Sequence, residues 1–459
     1  MRQAFEPVAS QPLVNSASNS RAAIYVAFCA FLPIVTISLF GWWYRDSLSS
    51  IISIDLTNFD AIRKVLHSFI HPSDQGDSWL PMQHALEVLN GPDRGRLYET
   101  LFLGAHVRFQ YPPTSLLPFE VLSTIGMSSI RALNALNSLV YLLNACAVAV
   151  LGWLLFRDTS RRAGIAPSGR AMAALAFAAS FAFYPLLRAQ ILGQIQLWID
   201  LLFTLALLSW FLQRRLLAGL LIGLACTIKP QMGLLLLWGL LWRDWRFVTG
   251  ILAAAVPVLL LSLLRYGVHN HIAYLDVLSF LSRHGESFFA NNSVNGILNW
   301  YLSSNDSLRW YDGALTPFNP GVFAGTMMAS VAALALICAM PLLRRRSRPD
   351  LSDLGIAAIC TVAGSPVAWE HHYGILLPLF LVALRAAFRI TEGRRRDLAA
   401  IALTVSWVMV ADFIPFAGFL AHTAFAVAQA YCFFGALVLL AFLLRAKHFV
   451  RQEAAGAPG

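Results

Sequence analysis

The feature that most constrains this chain is a series of long apolar runs, separated by short loops in which arginines collect. About 20 apolar residues wound as a helix cross the hydrocarbon core of a bilayer. The first run covers 22–44; it is too long for a secretory leader, ends in Trp42-Trp43-Tyr44 and has no small-residue cleavage site. It reads as a span with an aromatic interfacial end. Further candidate spans lie at 132–156, 171–188, 193–213, 216–229, 231–242, 247–264, 322–343, 353–369, 372–388, 398–417 and 421–444. The expected fold is all-α and integral to the membrane, one polytopic domain over 1–459 with about twelve transmembrane helices. Composition argues against a soluble alternative: 58% of residues are hydrophobic and 13% charged, where soluble domains run near 45–50% and about 25%.

Charge placement orients the bundle, because cytoplasmic loops are enriched in Lys and Arg. Put the N-terminal tail 1–21, with Arg2 and Arg21, inside. Six basic clusters then fall on the same side. They are Arg157/Arg161/Arg162/Arg170, Arg214/Arg215, Arg243/Arg246, Arg344/Arg345/Arg346/Arg348, Arg389/Arg394/Arg395/Arg396, and Arg445/Lys447/Arg451 in the C-terminal tail 445–459. The net charge of +10 is thus a topology signal, and no nucleic-acid partner is implied; the 344–348 cluster also suits anionic membrane lipids. Two conditions must hold. Segment 112–127 must re-enter without crossing, and 216–242 must cross twice, as two short helices meeting at Lys229-Pro230. Pro230 supplies the break, and halves so short require the turn to sit inside the protein or a water-filled cavity.

Residues 45–131 and 265–321 then form two long outer loops. In the first, Phe59, Ile62, Val65, Leu66 and Phe69 recur at helical spacing and predict an amphipathic helix on the membrane surface. A second helix is expected from Trp79 to Leu89, stopping at Asn90-Gly91. All six cysteines lie in apolar runs and read as packing residues, with neither a disulfide framework nor metal-ligand spacing.

On this topology the unusual polar residues converge on the outer face: Asp77, Tyr111-Pro112-Pro113, Gly193-Gln194, Lys229-Pro230, Asn291-Asn292-Ser293 with Gly296, and Ser365-Pro366 with Trp369-Glu370-His371-His372. Ionisable groups at membrane depth are costly and usually line a functional cavity, so an active cavity opening outward is expected. The ordered set of Asp77, Tyr98, Phe109-Gln110-Tyr111-Pro112-Pro113, Gly193-Gln194, Ile228-Lys229-Pro230, Asn291 to Gly296 and Ser365 to His372 resembles glycosyltransferase family 87, of the multi-pass C type. The resemblance covers roughly 75–380. Family members more often have Phe or Leu after the Asp, where this chain has Ser78, and Asp74 stands three residues earlier as a competitor. The resemblance implies inverting transfer of mannose, another hexose or arabinofuranose from a polyprenyl-phosphate donor to a glycolipid or polysaccharide acceptor, at an outward-facing site in a bacterial plasma membrane. It implies no cofactor.

Each residue also has a plainer reading. Asp77 could cap the helix that begins at Trp79; the resemblance makes it the catalytic base, able to take the acceptor's proton. Lys229, costly between apolar helices, could be a structural ion pair with Asp200 or Glu370, or could bind the donor phosphate and stabilise its developing charge. His371 and His372 could donate to the same phosphate with Glu370 orienting a ring. Adjacent side chains diverge, which disfavours a shared metal ion. Gln194, Gln196, Asn291, Asn292, Ser293 and Asn295 suit sugar hydroxyls, or ordinary turns. Tyr111 and Trp369 belong to the expected substrate site, while Tyr111-Pro112-Pro113 also shapes the re-entrant segment. The competing functions are a transporter or flippase of lipid-linked sugars, for which no repeated halves are visible, and a polysaccharide ligase or polymerase.

Overall fold

The computed structural model describes residues 16–49, 57–157, 166–310, 316–344, 348–390 and 393–455. Arg2, Arg161, Arg162, Arg345 and Arg346 of the basic clusters lie outside these residues. Among the described residues the protein is helical, with a single two-residue β-bridge, Asn291 to Trp369. We label the helices α1 (Ser16–Trp43), α2 (Asn58–Ser68), α3 (Trp79–Asn90), α4 (Leu116–Thr124), α5 (Ile130–Phe156), α6 (Gly169–Ser180), α7 (Tyr184–Leu192), α8 (Gln196–Phe211) and α9 (Arg215–Ile228). The later ones are α10 (Leu234–Leu241), α11 (Trp245–Tyr266), α12 (Val268–His284), α13 (Val294–Leu302), α14 (Pro320–Arg344), α15 (Leu351–Ala363), α16 (Leu376–Ala387), α17 (Gly393–Ala411) and α18 (Tyr431–Ala455).

Among the described residues five helices are long and apolar enough to cross a membrane: α1, α5, α11, α14 and the stretch ending in α18. Counting α6 and α7 as one span bent by 44° makes six. The remaining expected spans are shorter helices, among them α8, α9 and α15. The outer helices carry rows of exposed large apolar side chains, such as Leu260, Leu261 and Leu264 on α11 and Met328 and Val331 on α14. Water would penalise such rows, and a bilayer accepts them.

Local chemistry sets the boundaries. Ser129, Ser168, Asp244 and Ser293 each accept a backbone N–H at the start of α5, α6, α11 and α13, satisfying donors that the helix leaves open. The predicted break at Lys229-Pro230 is present: α9 ends at Ile228, Pro230–Gly233 forms a tight turn, and α10 resumes at Leu234. At 14 and 8 residues, the two pieces are about 21 and 12 Å long. Thr114 in the Pro112-Pro113 segment donates to Thr227 O at 2.6 Å, which pins that segment to this break. The nine-residue α4 that follows is only about 14 Å long.

α9 lies against α11 with backbones in near contact. A side chain at Gly219 would run into Phe247 O, and one at Gly250 into Leu216 O. Small residues at such crossings let van der Waals packing replace the hydrophobic drive that lipid does not supply. α2 forms where expected, but it packs Ala61 and Val65 onto α7 and leaves Phe59 and Leu66 exposed. α3 ends at Asn90 as expected. Segments 57–131 and 265–310 fold onto each other. Leu97 N donates to Asn270 at 3.0 Å. Arg108 pairs with Glu286, and Arg265 and Tyr266 both bond Glu120.

Candidate active site

A cavity of about 930 Å³ sits under these segments, lined by Asp77, Arg108, Tyr111, Arg188, Gln194, Lys229, Trp310, Trp369, Glu370, His371 and His372, among others. Its residues come from the 57–131 and 265–310 segments, from α7, from the α9–α10 break, from α14 and from the turn after α15.

The Asp77 corner is built by the turn after α7. Gly193 takes φ +68°, a left-handed conformation that favours glycine. The turn lets Asp77 N donate to Leu192 O at 3.0 Å and Ser78 N to Gly193 O at 3.4 Å. A side chain at 193 would collide with Gln75 O. Gln194 is thereby aimed at Asp77 and donates to its carboxylate at 2.5 Å. Ser78 donates to Gln194 Oε1 at 2.7 Å and lies 2.8 Å from the Tyr111 hydroxyl. Tyr98 in turn donates to Tyr111 O at 2.6 Å. The helix after Asp77 has Ser78 at its cap and no side-chain capping bond, so the capping role is absent.

Asp77 is accessible from the cavity, yet protein surrounds it closely. This partial desolvation pushes its carboxyl pKa above the ordinary range, opposed by the Gln194 bond and by the charges of Arg188 and Arg108. Asp74 is placed differently. It is absent from the cavity wall and bonds Arg131 at 2.7 and 2.8 Å on the surface, which holds its pKa below the ordinary range.

The cationic side lies at the helix break. Lys229 Nζ donates to Gln196 Oε1 at 2.6 Å, and Gln196 donates to Asp200 at 2.8 Å. The alternative reading of Lys229, a structural ion pair with Asp200 or Glu370, takes the form of a link to Asp200 bridged by a glutamine. His371 and His372 are buried, with rings 4.7 Å apart and nearly perpendicular. They follow Trp369 on a tight helical turn, Glu370–Ile375. Glu370 accepts from Tyr431 at 3.0 Å.

Asn291, Asn292 and Ser293 are fully buried and are not in the cavity wall. Asn291 Oδ1 accepts from Ala368 N at 2.9 Å. Asn292 Oδ1 accepts from Cys432 N at 3.1 Å, and Ser293 donates to Pro366 O at 3.0 Å. Asn295 bonds Thr326 at 3.0 Å. Asn291 and Ser293 hold the 366–370 segment, Asn292 ties the loop to the start of α18 and Asn295 ties it to α14, so bracing bonds stand where contacts of Asn291, Asn292 and Ser293 with sugar hydroxyls were expected. The polar atoms that would meet a sugar are committed to backbone and neighbouring side chains.

Two cations escaped the sequence reading. Arg188 on α7 lines the cavity, and its charge acts on Asp77, Glu370 and His371. The available signal was an arginine at the end of an apolar run. Arg108 pairs with Glu286 and lies 4.0 Å over the Trp310 ring, which itself sits 5.8 Å from Trp369.

Comparison with known proteins places this geometry. The sequence pattern of Glycosyltransferase family 87 matches residues 109–366, more than half of the chain. Asp77 and the 369–372 turn lie outside that match. The chain is also 25% identical, over 318 residues, to a polyprenol-phosphate-mannose-dependent alpha-(1-2)-phosphatidylinositol mannoside mannosyltransferase of Mycobacterium tuberculosis, covering 68% of this chain and 69% of that protein. With apolar helices, a cavity that gathers charged side chains and the matched pattern in agreement, the chain belongs to glycosyltransferase family 87.

Proposed function

We propose that the protein is an inverting glycosyltransferase that moves a sugar from a polyprenyl-phosphate donor to a glycolipid or polysaccharide acceptor. The observation that carries this reading is the charge layout of the cavity: two carboxyl groups, Asp77 in the grip of Gln194 and Glu370 bonded by Tyr431, share about 930 Å³ with Lys229, Arg188 and the His371-His372 pair, and Asp77 is the one accessible from the cavity. The mycobacterial relative, by its name, uses polyprenol-phosphate-mannose, which makes mannose the first sugar to test.

In the reaction, ionised Asp77 takes the proton of the acceptor hydroxyl as that oxygen attacks the anomeric carbon. The bond from that carbon to the phosphate oxygen breaks on the opposite face, through an oxocarbenium-like transition state, and configuration inverts. The leaving polyprenyl phosphate gains negative charge, which Lys229 and Arg188 stabilise while His371 and His372 donate hydrogen bonds. Gln194, Ser78 and Tyr111 hold Asp77 in register, Trp369 and Glu370 face the sugar, and the Asn291–Ser293 cluster braces the loop that carries them. Apolar Leu278, Met327, Val331 and Leu334 flank the cavity and are exposed, an exit to lipid that suits a prenyl tail.

The topology belongs to the same proposal: about twelve crossings, both tails in the cytoplasm, and the cavity opening outward from a bacterial plasma membrane. Purified protein supplied with polyprenyl-phosphate mannose and phosphatidylinositol mannoside tests the reading. Transfer with an anomeric configuration opposite to the donor's is expected. Retained configuration, or movement of the donor across vesicles without transfer, would overturn it in favour of another mechanism or a carrier.

A further inference from the structure

A second cavity of about 880 Å³ shares no lining residue with the first. It lies between α1, α6, α16 and α17, walled by Val26, Phe31, Leu175, Leu384 and Leu403. Its floor is Trp407, whose indole donates to Ala30 O at 2.9 Å and whose ring packs on Phe183 and Phe380. At the other end stand Arg21, Arg396 and Asp397.

The depth of the groove is set by α1. From Arg21 to Phe31 the helix rises about 15 Å, which is about half of the ~30 Å hydrocarbon core. The groove is therefore one leaflet deep, with its charged residues where headgroups lie. Only 11% of the apolar window of α1 is buried in the protein, so α1 leans on the bundle without closing against it. The Arg396–Asp397 contact is loose, at 3.8 Å, and both side chains are well exposed. Such a pair is weak, and a phosphate can take the place of Asp397 as partner to Arg396.

We propose that this groove holds the acyl chains of one acidic phospholipid from the leaflet on the Arg21–Arg396 side, its phosphate at those two guanidinium groups, and that this lipid completes the packing of α1. A polyprenyl tail, too long for a single leaflet, does not fit, and a zwitterionic lipid brings no net charge to the arginines. Basic residues near a membrane surface each favour acidic lipid by several-fold.

Native mass spectrometry of the purified full chain, titrated with dioleoyl phosphatidylglycerol or dioleoyl phosphatidylcholine, tests this. One phosphatidylglycerol site is expected, roughly tenfold tighter than for phosphatidylcholine. Arg21→Gln/Arg396→Gln, both surface changes, should reduce that affinity to the phosphatidylcholine level, and Leu384→Trp should fill the groove and remove the site for both lipids. Thermal unfolding of each variant reports its fold. Equal affinity for the two lipids, or wild-type phosphatidylglycerol binding in the double variant, would overturn the proposal. So would displacement of the bound phosphatidylglycerol by polyprenyl phosphate, which would make the groove a prenyl-lipid site.

Discussion

Replacing Asp77 by Asn isolates its basicity from its structural role. The helix that follows has no side-chain cap to lose. The Gln194 amide at 2.5 Å can donate to an Asn carbonyl as it does to the carboxylate. Exchanging a charged for a neutral acceptor costs about 1 kcal/mol, and removing a carboxylate that protein has desolvated offsets part of that. Folding should therefore change little. Chemistry should not: loss of a general base lowers the rate by about 10²- to 10⁴-fold, equivalent to roughly 2.7–5.5 kcal/mol of barrier. The assay is transfer from polyprenyl-phosphate mannose, with donor binding measured separately.

The pH profile supplies a second readout. The base must be ionised, and desolvation raises its pKa. Wild-type kcat/KM should thus fall as pH drops through a value above the ordinary Asp range of about 3.9, and this acid limb should vanish in Asp77→Asn. Asp74→Asn, which only frees Arg131 on the surface, should remain within about twofold of wild type. Turnover of Asp77→Asn above about a tenth of wild type, with donor binding intact, would refute the assignment.

Lys229→Met removes the charge while keeping the length, and should cost tenfold or more in binding of polyprenyl phosphate while the protein still folds, since one charge-assisted contact is worth about 1.5–3 kcal/mol; unchanged binding would leave Lys229 a structural partner of Gln196. Gly219→Val places a side chain against Phe247 O and should destabilise the α9–α11 crossing by about 1–3 kcal/mol in detergent unfolding, whereas Gly233→Ala, with open space around it, should be tolerated. In a cysteine-free background, an impermeant thiol reagent applied to intact cells should label Ser303→Cys and not Gln213→Cys; the reverse pattern would invert the proposed topology.

The apolar runs were legible because span length and Arg placement are properties of the chain in one dimension. The break at Lys229-Pro230 and the stop at Asn90-Gly91 were legible for the same reason, each being a local backbone event. The individual polar residues of the cavity were visible as expensive groups near helix ends. Their pairing was not. Gln194 reaches Asp77 across 117 positions, and nothing in either local pattern names the other. Arg188 was absorbed into an apolar run, and only the bend after α6 brings its charge near Asp77 and Glu370.

In sequence Asp77 is favoured only by the resemblance, and Asp74 stands close enough to compete with it. They become different residues only when Arg131 claims one on the surface and Gln194 holds the other in the cavity. Likewise the Asn291–Ser293 run looked suited to sugar, and the fold committed its side chains to the neighbouring 366–370 segment and to the start of α18. Sequence alone thus determined a helical membrane bundle and the residues too costly to be idle, because hydrophobic transfer and backbone breaks act locally. Which of those residues meet was decided only by tertiary structure, because a hydrogen bond requires atoms within about 3 Å, and distance in space is not written in distance along the chain.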